Sequence, residues 1–206
     1  SFGVLSGGTR VVVTGRNFRM TRSLSCRFLW HEVPASYVNE ETIECVVPAS
    51  TLGDSDVRVS NNGVDYSESS FVFEYVDAVQ LTSIEPSVSS RSGGTSLVLT
   101  GTGFRDTNNV SCRFDKDVSV PGIFVSNTEI VCTSPLLSSS SSAGVVSVDV
   151  TLNGQDYSIN TLRLETYDNS TRVLSIEPSI GSVSGGSDIT VRGVHFVNSK
   201  SMSCAF

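Results

Sequence analysis

No run in this 206-residue chain approaches the ~18 to 20 consecutive apolar residues of a membrane helix. Helical periodicity is missing too, since no stretch of ten or more residues repeats its apolar positions every three to four. Basic residues are few, 14 Lys and Arg against 21 Asp and Glu, and they are scattered without forming a stripe. A formal charge of −7 repels phosphate backbones, so nucleic acid is not an expected partner. Histidine occurs only at His31 and His195, both expected on the surface, and no Cys-x-x-Cys pair or Asp-x-Asp-x-Asp cluster is present. Zinc and calcium sites of the usual spacing are thereby disfavoured, and no cofactor is expected. No secretion signal opens the chain; Ser1 begins directly on strand-like sequence.

What the sequence does hold is repetition. "SGGTRVVVTGRNF" (Ser6 to Phe18) returns as "SGGTSLVLTGTGF" (Ser92 to Phe104) and "SGGSDITVRGVHF" (Ser184 to Phe196). From the second glycine of each pair (Gly8, Gly94, Gly186), seven residues lead to Gly15, Gly101 and Gly193. Three more lead to Phe18, Phe104 and Phe196, and eight beyond those stand Cys26, Cys112 and Cys204. The first two copies continue in parallel with Cys45 and Cys132, then "NNGVDYS" (Asn61 to Ser67) and "LNGQDYS" (Leu152 to Ser158). Unit two is longer mainly through a loop containing the serine tract Ser138 to Ser142, which surface loops absorb at little cost.

"LTSIEPS" (Leu81 to Ser87) and "VLSIEPS" (Val173 to Ser179) open the second and third copies. The first has no such segment, and the third stops about a third of the way through. The expected units are residues 1–77, a repeat lacking its first strand; 80–169, a complete repeat; and 173–206, the N-terminal part of a third. The chain reads as a window from a longer tandem array. A neighbouring chain supplying the missing strand is the alternative.

Short segments rich in Val, Ile, Thr and Phe, separated by glycine and asparagine, predict strands. Strands at this density in units of about 90 residues predict tandem all-β sandwiches of immunoglobulin-like dimensions, strung like beads. The Gly-Gly pair lacks the Lys-Ser/Thr of a phosphate-binding loop and leads into a strand. It is therefore expected to be a turn with positive φ, with the glycine seven residues on marking the end of the strand. Asn62-Gly63 and Asn153-Gly154 predict type I′ hairpins, with Asp65 and Asp156 as solvated acids. Trp30, the only tryptophan, is expected to cap the core of its own unit, with an interface anchor as the alternative.

"SIEPS" followed by "SGGT", "VLTGTGF", "CRF" and Cys-x-x-Pro ("CVVP", Cys45 to Pro48; "CTSP", Cys132 to Pro135) resembles the IPT/TIG domain over essentially the whole chain. The resemblance implies the immunoglobulin-like fold shared by plexins and certain transcription factors. It leaves function open among receptors, cell-surface fibres, DNA-binding factors and accessory domains of polysaccharide-acting enzymes.

Two cysteines per complete unit are expected to pair as Cys26–Cys45 and Cys112–Cys132, with the partner of Cys204 beyond the segment. The competing reading is reduced, buried cysteines acting as small apolar side chains. Disulfides imply an oxidising compartment, extracellular or cell-surface, with which the sequons at Asn109 and Asn169 agree. Glu40, Glu41 and Glu44 have no paired counterpart in unit two, and no catalytic constellation is found. Arg27 and Arg113 recur, but Ala205 breaks the series.

Short connections between units point to a semi-rigid rod. The leading expectation is a non-enzymatic structural segment of an extracellular fibre or cell-surface adhesive glycoprotein. Its partners would be other copies or neighbouring repeats, with attached glycans and no direct membrane contact. The alternative is a plexin-like receptor ectodomain stalk that binds a protein ligand.

Overall fold

The structure, a computed structural model, describes residues 1–51, 53–137, 144–167, 172–196 and 202–205. Every regular element among them is a strand. Unit one contributes β1 (Phe2–Val4), β2 (Arg10–Thr14), β3 (Ser25–Phe28), β4 (His31–Asn39), β5 (Thr42–Val46), β6 (Gly53–Ser60) and β7 (Phe71–Val76). Unit two contributes β8 (Gln80–Glu85), β9 (Val88–Ser90), β10 (Ser96–Thr102), β11 (Ser111–Phe114), β12 (Val118–Ser126), β13 (Glu129–Thr133), β14 (Val145–Thr151) and β15 (Leu162–Tyr167). β16 (Arg172–Glu177) and β17 (Thr190–Val194) pair antiparallel in the third.

The strand order β1-β7-β6-β3-β4-β5-β2 in unit one recurs as β9-β15-β14-β11-β12-β13-β10 in unit two, where β8 adds an outer strand beside β10. The two layers are joined by one long strand. Residues 31–34 of β4 pair with β3, whereas residues 35–39 pair with β5. β12 changes partner in the same way, from β11 to β13, between Pro121 and Gly122. β1 and β9 run parallel to the last strand of their units, β7 and β15.

Alternation along each strand sends one face inward. Cys26, Phe28, Ile43, Cys45, Val47 and Phe73 fill the first core. Edge-to-face contacts of Phe73 with Phe28 (5.8 Å) and Tyr75 (5.1 Å) order it, and the Tyr75 hydroxyl donates to the Pro48 carbonyl at 2.9 Å. Leu97, Leu99, Cys112, Phe114, Ile130 and Val148 are among those filling the second. Cys26–Cys45 ties β3 to β5 and Cys112–Cys132 ties β11 to β13, each with Cα atoms 6.3 Å apart, so a disulfide spans the layers in both units.

The Gly-Gly turn has positive φ at both residues in all three copies, for example 72° and 93° at Gly7 and Gly8. The first glycine also lies against the Cys-x-x-Pro segment: a Cβ on Gly93 would fall 2.7 Å from the Pro135 carbonyl carbon. Gly15 does more than end a strand, because a Cβ there would stand 2.7 Å from the ring of Phe18.

Two expectations need correction. Asn62-Gly63 and Asn153-Gly154 are not type I′ hairpins, since only the glycines have positive φ and the next strand begins several residues later. The asparagine side chain makes the turn instead: Asn62 Oδ1 accepts from the backbone N–H groups of Val64 (3.0 Å) and Asp65 (2.9 Å). Trp30 caps no core; it is 87% exposed at the tip of the β3–β4 hairpin.

Candidate functional site at the junction of units one and two

Unit two rests directly on unit one, and four groups of contacts build the junction. Arg105, in the loop between β10 and β11, reaches back to the end of β7. There Nη1 and Nη2 donate to the two carboxylate oxygens of Glu74, each at 2.8 Å. This fork holds the Glu74 carboxyl below its ordinary range, and the carboxylate raises the Arg105 guanidinium in turn.

The second and third contacts come from the asparagine-closed turn after β14. Asn153 Oδ1 accepts from the N–H groups of Gln155 (3.0 Å) and Asp156 (2.8 Å), and Asn153 Nδ2 donates to Asp156 Oδ2 at 2.7 Å. The same Asp156 oxygen accepts the Thr9 hydroxyl at 2.8 Å, so Asp156 is half-buried between the units and not the solvated acid expected, and Thr9 is only 4% exposed. Gln155 exchanges two hydrogen bonds with the Arg10 main chain: Oε1 accepts from N at 2.9 Å and Nε2 donates to O at 3.0 Å. The fourth is apolar. Phe2 packs against the second core, and a crevice lined by Phe2, Val4, Val76, Val79 and Leu152 lies between the units.

A recess of about 330 Å³ opens beside the ion pair, with Asp54, Glu74, Asp77 and Arg105 in its wall. Among the described residues no group of three or more His, Cys, Asp or Glu is placed to hold a metal ion.

The cysteines Cys26, Cys45, Cys112 and Cys132 lie inside the units, away from this junction; Cys204 is free and exposed. Asn109 is exposed in the turn preceding β11, whereas Asn169 lies outside the described residues. Arg27 and Arg113 have a structural role, stacking over Tyr66 (3.8 Å) and Tyr157 (3.3 Å) of the "DYS" segments. Arg113 also forms a fork with the buried Asp149, at 3.0 and 2.7 Å. Unit one puts Arg58 in that place, opposite Arg27.

The junction residues were missed in the sequence because their partners are up to 151 positions away.

The IPT/TIG domain profile matches residues 1–75, 80–165 and 172–206. Plexin-A3 of Rattus norvegicus is 27% identical over 210 residues, covering 95% of this chain and 11% of the relative. Plexin-A2 of Mus musculus is 34% identical over 152 residues, covering 70% of this chain and 8% of the relative. The chain thus spans about a tenth of the length of these curated relatives. Among solved structures, the plexin A4 full extracellular region superposes with a TM-score of 0.59 at 22% identity, covering 88% of this chain and 17% of that one. That likeness concerns the fold alone.

Proposed function

The chain belongs to the IPT/TIG domain family, as three tandem copies, and on that premise we propose that it forms part of the ectodomain stalk of a plexin-like receptor. Its setting is extracellular or at the cell surface, in keeping with two buried disulfides and with its plexin relatives. The expectation of a fibre subunit finds no support among those relatives, which favour the receptor.

The observation that carries the proposal is the similarity to plexin-A3 along 95% of the chain. The junction supports it. A stalk must hold its units at a fixed spacing, and the contacts of Thr9, Arg10 and Glu74 with unit two do so without a flexible tether. In this reading the units run 1–77, 80–169 and 173–206, none of them catalyses a reaction, and a protein ligand binds one of them or a loop. Asn109 and Asn169 carry its N-linked glycans.

The test is cell-surface labelling of the full-length protein with a membrane-impermeant biotin reagent. A receptor is labelled and stays with the membrane after an alkaline carbonate wash. Release into the medium as a soluble polymer sinks the proposal and restores the fibre.

A further inference from the structure

Unit two docks on unit one through opposite ends of the same repeat. The receiving end offers the Phe2 carbonyl, the Thr9 hydroxyl, the Arg10 main chain and the Glu74 carboxylate. The inserting end offers Arg105 and the turn from Asn153 to Asp156. The inserting end lies in the part of the repeat that both units share, so unit one carries one of its own.

That end is already formed. Arg19 stands four residues after Gly15, as Arg105 stands four after Gly101. Asn62 closes its turn with the same bonds as Asn153, and its Nδ2 donates to Asp65 Oδ2 at 2.8 Å, against 2.7 Å for Asn153 and Asp156. The Arg19 N–H donates to Asn61 Oδ1 at 2.9 Å, which fixes the arginine loop to the turn. Yet this end faces solvent. Arg19, Asn62 and Asp65 are exposed, and Val64 is 77% exposed. Asp156 Oδ2 takes two donors, whereas Asp65 Oδ2 takes one among the described residues.

We propose that Arg19, Asn62, Val64 and Asp65 form a docking surface for the receiving end of another unit of this repeat. The partner is defined chemically by a carboxylate placed as Glu74 is and a hydroxyl placed as Thr9 is. Charge complementarity selects it, since Arg19 supplies the cation for the carboxylate and Asp65 the acceptor for the hydroxyl. One position differs: Val64 stands where Gln155 exchanges hydrogen bonds with a main chain, so that contact is apolar.

Unit two's own receiving end meets the specification. Glu165 pairs with Val88 in the β15–β9 ladder as Glu74 pairs with Phe2 in the β7–β1 ladder, and Thr95 follows its Gly-Gly pair as Thr9 does. Glu165 is exposed, and Thr95 is half-buried where Thr9 is covered. The third repeat has Val197 at the position of Arg105, so its own inserting end brings Glu165 no arginine there. A second copy of this chain is therefore a ready probe. The inference stands on repeat geometry and is independent of the receptor reading.

The experiment is sedimentation velocity of the 206-residue chain at low ionic strength, over a concentration series reaching about 1 mM. The expected result is reversible head-to-tail association. Arg19→Glu or Glu165→Arg alone weakens it at least about tenfold. An equimolar mixture of the two variants pairs one normal inserting end with one normal receiving end and restores dimers. The double variant, with swapped charges, associates again, and Asp65→Ala weakens association with both charges intact. Because Arg19 and Glu165 are exposed, circular dichroism should show the fold unchanged. A chain that stays monomeric throughout, or association indifferent to both reversals, overturns the proposal.

Discussion

Arg105 of the second unit and Glu74 of the first meet as a two-pronged ion pair, both N–O distances 2.8 Å, across a boundary that the sequence marks only as a short connection. Their side chains remain 44% and 41% exposed, so solvent screens the pair and its strength is modest. Arg105→Ala is expected to loosen the junction by at most about 1 kcal/mol. A double-mutant cycle with Glu74→Gln, read by residual dipolar couplings between the units, measures it. A coupling of zero would assign the alignment of the units to Thr9, Gln155 and Phe2 alone.

The same pair sets a pH dependence. Arg105 lowers the Glu74 carboxyl below its ordinary 4.5, chiefly through the side-chain hydrogen bond. A depressed carboxyl contributes where it is ionised in both states, above about pH 4.5, and that contribution fades as pH falls through the lowered value. Interdomain alignment should thus hold at neutral pH and weaken below pH 4.5. The Glu74→Gln variant should lack this acid step, and a profile identical to that of the parent would contradict the assignment.

The disulfides hold the layers of each unit together. Replacing Cys112 and Cys132 by alanine opens a loop of about 20 residues and should cost unit two roughly 3 kcal/mol on the chain-entropy account. Thermal unfolding should show a lowered transition for that unit, with unit one retained.

Asp149 is 4% exposed and faces the Arg113 fork beneath Tyr157. Asp149→Ala leaves a guanidinium with its partner removed and is expected to destabilise unit two by about 2 kcal/mol, measured by urea denaturation. The burden should be lighter in unit one for Arg58→Ala, because Arg58 donates to the Ser67 carbonyl at 3.1 Å and faces Arg27 where Arg113 faces a carboxylate.

Gly101→Ala drives a Cβ into the main-chain carbonyl oxygen of Gln80 on the neighbouring strand and sets it 2.9 Å from the buried Phe104 ring. Overpacking at this contact is expected to cost about 1–3 kcal/mol, again read by urea denaturation. Gly8 has nothing within 4 Å of an added Cβ, so Gly8→Ala isolates the backbone penalty of positive φ alone.

The sandwich was legible because its signals are local. Gly93-Gly94, the spacing from Phe104 to Cys112, and the alternation through "SLVLTG" each act within a few residues, and each copy repeats them. Asn62-Gly63 misled because the dipeptide favours a hairpin turn in general. Here the Asn62 side chain satisfies the main chain first, and the glycine supplies only one positive φ. Trp30 misled because an unmatched aromatic carries no position in a repeat, and a hairpin tip exposes whatever occupies it. The junction was beyond reach for another reason. Thr9 and Asp156 are ordinary surface residue types, and only the stacking of one unit on the next makes them partners.

The parallel ladders β1–β7 and β9–β15 put the first strand of each ladder beside the last strand of its unit. Tension along such an array pulls those two strands past one another lengthwise, so the rungs of the ladder share the load instead of parting one after another. With the residues between Cys112 and Cys132 closed off by a covalent loop, stretching has less chain to release. A string of these units should therefore resist being drawn out and should transmit a tug from one end to the other.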